Sequence, residues 1–348
     1  MDLQAIRHAR LNSQFLLAPG TLRQVSQGLC GVQAQFFSHA QHALRLRCRE
    51  TDEHALSEQL VKNWTLRGTM HLFHPADFPL FLAGCGPLYR KNQWTEKSWW
   101  NQRPDWALTP ERQQYFTQYI LETLEKGPVP REELKTLCRQ QGMSEKEEQS
   151  LFDPWGGGVR EMCERGFMHY LAREEKIFCP TPVIEPMSKE NAEPELARRY
   201  FTHYGPATVH DAMYFFRAPA KKVKSWLEQL PLTAISCNGS TYYGMNDPLR
   251  QTEELPACLF LSGFDPVMLG YEKRENPFLP PEHIRKIFSL SGIVMPALLI
   301  DGKVKGTWKE KGGKITVSLF EPLTKKQMAA TEEAALRLWQ EKTLVFFP

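Results

Sequence analysis

Gln33-Ala34-Gln35 places two neutral amides two residues apart, directly after Gly31-Val32. Neither side chain is a usual acid or base. An amide accepts through its carbonyl and donates through its NH2, so its chemistry is orientation rather than proton transfer. A companion stretch, Thr65-Leu66-Arg67-Gly68-Thr69-Met70-His71, adds a guanidinium and an imidazole. By residue type alone, the glutamines are either surface polarity or a site that needs amides in place of carboxylates.

The chain around them is 348 residues long, more than one core usually supports, so about two or three domains are expected. A net charge of +3 is too small to name a partner; local patches matter more than the sum. Met1-Asp2-Leu3-Gln4 does not read as a signal peptide, and no apolar run approaches the length of a membrane span. The eight cysteines are scattered without a C-x-x-C pair, which argues against a zinc ribbon or redox pair and for a reduced, cytoplasmic protein. No metal site is expected, because His39 and His42 lack a third and fourth ligand. Gly156-Gly157-Gly158 is not followed by Lys-Ser or Lys-Thr, so it reads as a flexible linker rather than a phosphate loop.

The elements that must position the glutamines follow from periodicity. Leu22, Val25 and Leu29 mark a helix begun at Thr21, and a second run from about 34 to 47 places Phe36 or Phe37, Ala40 and Leu44 on one stripe. Two helices across a Gly-containing turn fit a helix-turn-helix, although two ordinary core helices fit this pattern better. Residues 55–64 read as a further helix. Thr109-Pro110-Glu111 is a helix start. An internal echo follows: Lys126-Gly127-Pro128 and Tyr204-Gly205-Pro206 each separate one helix from the next. Each copy then ends in a hairpin, the second turning at Asn238-Gly239. Helices plus a hairpin make a winged helix, a module for DNA or for protein partners. Beyond residue 255 the pattern turns to strands, with a hairpin at Asp301-Gly302 and a closing helix over 324–340 with Met328, Ala335 and Leu338 on its apolar stripe. Lys303, Lys305, Lys309, Lys311 and Lys314 make a basic edge. It serves either phosphate contact or protection of a strand edge. Trp94, Trp99, Trp100 and Trp106 read as core filling more readily than as a stacking platform.

The expected architecture is α+β: tandem winged-helix domains with a small C-terminal β-barrel-like domain. Its segments are 1–108, which carries the glutamine motif, then 109–182, 194–250 and 255–348.

The sequence resembles the winged-helix DNA glycosylases of the AlkZ and YcaQ type, the helix-turn-helix 42 superfamily. The resemblance rests on the two opening stretches and on Arg198-Arg199-Tyr200 with Tyr204-Gly205-Pro206-Ala207. It continues in Gly263-Phe264-Asp265-Pro266, Leu269-Gly270-Tyr271, Asp301-Gly302, Val304 and Gly306-Thr307-Trp308. It implies a bacterial DNA repair enzyme that is C-shaped around a DNA channel and releases cationic N7-alkylated purines. Some members unhook interstrand cross-links. Gln33-Ala34-Gln35 falls in the Gln-x-Gln branch, so Gln33 and Gln35 are the implied catalytic residues. Arg67, His71, Arg45, Arg47, Lys303, Lys305 and Lys309 are supporting or DNA-binding candidates, and Arg67 and His71 are equally open to a structural role. Damaged double-stranded DNA is the expected partner. A cytoplasmic, nucleoid-associated monomer with no cofactor, no nucleotide and no membrane contact is expected. The rival reading is a non-catalytic winged-helix DNA-binding protein or transcriptional regulator; a third is a protein-interaction scaffold.

For both amides to meet one substrate, residues 31–35 must form an irregular segment ahead of a helix. Positions i and i+2 share a side in extended chain and diverge in a helix.

Overall fold

The computed structural model describes residues 2–84, 103–185, 187–245, 249, 254–340 and 343–347. Trp94, Trp99 and Trp100 lie outside these residues. Two compact units divide the chain: Met1–Thr51 with Ala197–Pro348, and Asp52–Leu196.

The first unit opens with α1 (Leu3–Ser13), α2 (Leu22–Gly28), a short extended piece β1 (Val32–Gln33) and α3 (Phe37–Arg45). Thr21 and Gln24 cap α2 reciprocally, as its start signal implied. In α3, Phe37, Ala40, Ala43 and Leu44 are buried, and Phe36 is left outside the stripe.

The second unit begins with α4 (Glu53–Gln59) and the hairpin β2 (Val61–Trp64) and β3 (Met70–Phe73), followed by α5 (Phe78–Gly84). The helix expected over 55–64 therefore stops at Gln59. Val61 to Trp64 are buried throughout, which suits a strand with neighbours on both edges. A winged helix follows: α6 (Pro110–Leu124), β4 (Val129–Pro130), α7 (Arg131–Gln140), α8 (Glu145–Leu151), α9 (Gly158–Glu164), β5 (Met168–Leu171) and β6 (Ile177–Pro180). Thr109 caps α6 with Pro110 in its first turn. The strands of this unit run β3-β2-β5-β6-β4, so the early hairpin extends the sheet of the wing. Phe116, Ile120, Leu134, Leu151, Met162 and Phe178 fill the core between helices and sheet. Gly157 and Gly158 are packing positions rather than a flexible linker. A Cβ at Gly157 would meet the Ser150 carbonyl at 2.5 Å, and one at Gly158 would meet Leu151 at 2.3 Å.

The chain re-enters the first unit within α10 (Lys189–His203). A second winged helix is completed by α11 (Val209–Phe216), α12 (Ala220–Gln229), β7 (Leu232–Cys237) and β8 (Ser240–Met245). Its hairpin turns at Asn238 and Gly239 with φ of 49° and 76°, the paired left-handed geometry that Asn-Gly favours. The C-terminal part holds β9 (Cys258–Phe260), α13 (Pro266–Leu269), α14 (Ile284–Ile287), β10 (Ala297–Ile300), β11 (Lys303–Lys311), β12 (Lys314–Leu319), α15 (Lys325–Leu338) and β13 (Thr343–Phe347).

This last sheet corrects the expectation of a barrel. Its order is β13-β12-β11-β10-β9, so β13 and β9 form opposite edges and do not close on each other. Closure is replaced by cover: Ala335 of α15 and Trp339 after it join Phe260, Leu298, Ile300, Trp308, Ile315 and Val317 in one core. Met328, expected on the apolar stripe, is 37% exposed. The parallel strand β13 was not anticipated from the sequence.

Within the first unit, Arg10 of α1 is fully buried. Its Nη2 donates to Asp211 Oδ2 at 2.8 Å, its Nε donates to the Pro206 carbonyl at 2.7 Å, and its guanidinium lies 3.7 Å from the Tyr271 ring centroid. Asp211 also accepts from the Thr208 and Glu272 backbone N–H groups, both at 3.0 Å. Removing one partner strands the other charge without water. Asp211→Ala is expected to lose about 3–5 kcal/mol in denaturant unfolding, while Arg10→Met with Asp211→Leu loses clearly less. Equal losses would show that the pair is not coupled.

Candidate active site

The glutamine segment starts where α2 ends. Cys30 and Gly31 take left-handed conformations, φ 54° and 82°, and reverse the chain. A Cβ is disfavoured there, which makes glycine apt at 31 and Cys30 strained. The Gly31 N–H donates to the Ser26 carbonyl at 2.8 Å, and the buried Tyr204 hydroxyl donates to the Leu29 carbonyl at 3.0 Å. Val32 and Gln33 are extended, and α3 begins only at Phe37. Gln33 Nε2 donates to Gln35 Oε1 at 2.8 Å. The two amides thus converge, as a shared role requires. Gln33 is 8% exposed and Gln35 lies open to solvent.

The far end of α3 is fixed by polar contacts to the C-terminal sheet and its loops. Arg47 is fully buried, and its Nη1 and Nη2 donate to the two carboxylate oxygens of Asp265 at 3.1 and 2.7 Å. Asp265 caps α13 through the Val267 N–H and accepts from the Ser262 hydroxyl at 3.1 Å. His42 Nε2 donates to the Phe260 carbonyl at 2.7 Å, and its ring stacks on Trp339. Burial lowers the His42 pKa to about 4, so the ring is neutral. Arg45 Nη2 donates to the Leu338 carbonyl at 2.6 Å, at the C-terminal end of α15 where a positive charge is favourable. One candidate for DNA contact is thereby reassigned, Arg47, which is fully buried; Arg45 stays exposed. Arg47 has no route to a phosphate, whereas Arg45 uses one nitrogen on a helix end and keeps its remaining donors towards solvent.

Arg67 and His71 belong to the second unit, where they meet at the tip of the β2–β3 hairpin. Arg67 is half-buried in a left-handed conformation, φ 60°, between Thr65 and Thr69, whose backbones are hydrogen-bonded. Arg67 Nη2 donates to His71 Nε2 at 3.3 Å, leaving His71 Nδ1 to donate to the Thr69 carbonyl at 3.1 Å. Burial first, then the nearby Arg67 charge, lowers the His71 pKa to about 3. This histidine is a neutral acceptor and not an acid. Arg160 supports the tip, 3.9 Å from the Trp64 ring centroid and donating to the Gly68 carbonyl.

Lys303, Lys305 and Lys309 alternate on one face of β11, with Val304, Gly306 and Trp308 buried on the other. Lys305 is paired with Glu321 at 2.8 Å, and Lys303 and Lys309 are exposed.

Sequence reasoning did not find Asp265 as the partner of Arg47. Gly263-Phe264-Asp265-Pro266 stands out as a motif, but a partner 218 residues away in sequence cannot be read from spacing.

Matched over residues 27–340 by the model of the AlkZ-like DNA glycosylases, the chain belongs to that family and is a DNA glycosylase. It is 25% identical over 350 residues to a Streptomyces sahachiroi protein described as an interstrand DNA cross-link repair glycosylase, covering 94% of this chain and 92% of that one. The solved structure of Streptomyces sahachiroi DNA glycosylase AlkZ shares the fold at 23% identity, with a TM-score of 0.78 over 100% of this chain and 99% of that one.

The buried imidazoles set a pH dependence. His71, His42 and His169 have folded pKa values near 3, 4 and 4, below the ordinary 6.5. The unfolded chain therefore binds protons first, so their contribution to stability is complete above pH 6.5 and lost as pH falls towards those values. His71→Gln is expected to flatten the loss of melting temperature between pH 6.5 and 4. An unchanged slope would place the protonation elsewhere.

Proposed function

We propose that Gln33 and Gln35 hold the attacking water for hydrolysis of the bond between deoxyribose and a cationic N7-alkylated purine. Their direct contact, Nε2 to Oε1 at 2.8 Å, carries the reading. Each carbonyl oxygen has two lone pairs, so Gln35 Oε1 retains acceptor capacity after accepting the Gln33 N–H hydrogen bond. A water held there points one hydrogen at Gln35 Oε1 and keeps its oxygen lone pairs free to attack.

The leaving group explains why amides suffice. An N7-alkylated purine already carries positive charge, so it leaves without being protonated. The water oxygen bonds to C1′ as the C1′–N9 bond breaks. The bonding pair enters the purine and cancels its charge, and the proton of the water passes to solvent. Positive charge grows meanwhile on the sugar, where fixed carbonyl dipoles are stabilising. A normal purine lacks the activation and would need an acid; His71, kept neutral by burial, is not one. No covalent enzyme intermediate is needed, so the enzyme is read as monofunctional.

The substrate is read as duplex DNA carrying N7-alkyl lesions. The Streptomyces sahachiroi relative is described as an interstrand DNA cross-link repair glycosylase, which supports extending the reading to interstrand cross-links. The exposed Lys303 and Lys309 are read as phosphate contacts, and the enzyme as an active monomer.

Duplexes holding one N7-methylguanine or one nitrogen-mustard cross-link test this, with alkali revealing abasic sites. Gln33→Ala and Gln35→Ala are expected to slow base release by about a hundredfold each while DNA affinity is retained. Release at the normal rate from the double variant would remove the glutamines from the chemistry. Release from the monoadduct alone would remove cross-links from the substrate range.

A further inference from the structure

Phe36 follows Gln35 directly and occupies the N-cap of α3. That position favours Ser, Thr, Asp or Asn, whose oxygen would satisfy a free N–H. Phe36 makes no such bond, and its ring is 46% exposed. Stability alone argues against an exposed aromatic at a cap.

The ring is nevertheless held in place. Phe264 stacks against it, with centroids 5.7 Å apart and planes 24° apart, and His39 meets it edge-on at 5.8 Å. Phe264 is buried and in a left-handed conformation, φ 56°. Its neighbour Gly263 lies close against His39: a Cβ there would be 2.8 Å from the ring, so any side chain would push the imidazole aside. On the other side, Asp265 is locked to Arg47. One face of Phe36 is thus backed by a rigid cluster. Burial lowers the His39 pKa, so the neighbouring imidazole adds no positive charge.

A rigid aromatic face, here on the residue that follows Gln35, is negative over its π-cloud and attracts a cation. We propose that Phe36 is the specificity-determining residue that recognises the positive charge of the damaged purine, a role that rests on Gln33 and Gln35 being the reacting centre. A neutral purine gains only ordinary stacking there. The timing of the charge fixes the kinetic consequence. As the glycosidic bond breaks, positive charge leaves the base and appears on the sugar. The attraction is therefore strongest before reaction, and it sharpens binding without speeding the chemical step.

The test is single-turnover base release from N7-methylguanine duplex as a function of enzyme concentration, with undamaged duplex binding measured in parallel. Phe36→Leu keeps an apolar side chain and removes the π-face; fluorinated phenylalanines at position 36 weaken the face stepwise at nearly constant shape. Phe36→Leu is expected to raise half-saturation for lesion DNA about three- to tenfold, with the maximal rate equal or raised but not lowered, and undamaged-duplex affinity within about twofold. The fluorinated series is expected to follow in order of fluorination. An unchanged half-saturation, or equal weakening on lesion and undamaged DNA, would overturn the assignment; so would a fall confined to the maximal rate. Gln33→Ala with Gln35→Ala in the same assay separates the two readings. Loss of their maximal rate with an unshifted Phe36→Leu curve removes Phe36 alone. Normal release by the Gln double variant removes the glutamine reading.

Discussion

The buried pair between Arg47 and Asp265 is the contact on which the glutamine segment depends. Both side chains are out of water, and the guanidinium meets both carboxylate oxygens. Such a pair adds little net stability, because desolvation offsets most of the attraction. Its effect is on geometry, since neither group tolerates separation. Arg47 also donates to the Ala43 carbonyl, so the pair fixes the end of α3. Asp265 orders the turn into α13, directly after Phe264, which takes a left-handed conformation. A helix as short as α3 carries that placement back to Phe36 and Gln35 at its other end.

The opposite end of the segment is tied in a second way. Tyr204 holds the Leu29 carbonyl, and the Tyr271 hydroxyl donates to the Tyr204 carbonyl at 3.0 Å. Gln14 donates to that same hydroxyl at 2.7 Å, and Arg10 lies over the Tyr271 ring. Residues 31–35 are therefore suspended between two buried polar networks. Two weak, neutral groups that act by placing a water need fixed positions more than they need acidity. The architecture of the first unit supplies that placement from α1, α3, α10 and the loops around α13.

Local signals in the sequence were reliable where one short interaction decided the outcome. Thr21 and Thr109 start helices, and Asn238-Gly239 and Asp301-Gly302 turn hairpins. The irregular backbone at Gly31 followed from the need for two amides to share a side, and the structure has that form. Signals failed where distant parts decide. Arg47 reads as part of a basic helix face, but it is buried and its partner is Asp265. Residues 61–64 joined a sheet because strands on both sides accept them. The C-terminal strands were legible one by one, yet whether their sheet closes depends on β13 and on the cover given by α15. Phe36 was visible only as one of two candidates for a buried stripe, and its exposure emerged once Phe37 took the core position.

The central claim is that buried charge pairing places the glutamines, rather than merely holding the fold together. The most direct measurement is the single-turnover rate of N7-methylguanine release by Arg47→Met with Asp265→Leu, which replaces the pair by apolar side chains and avoids a stranded charge. With folding verified by melting and duplex affinity unchanged, the account expects release slowed by at least about tenfold, because a small displacement of positioned groups is enough to do so. A folded double variant that releases the base at the rate of the natural protein would contradict it.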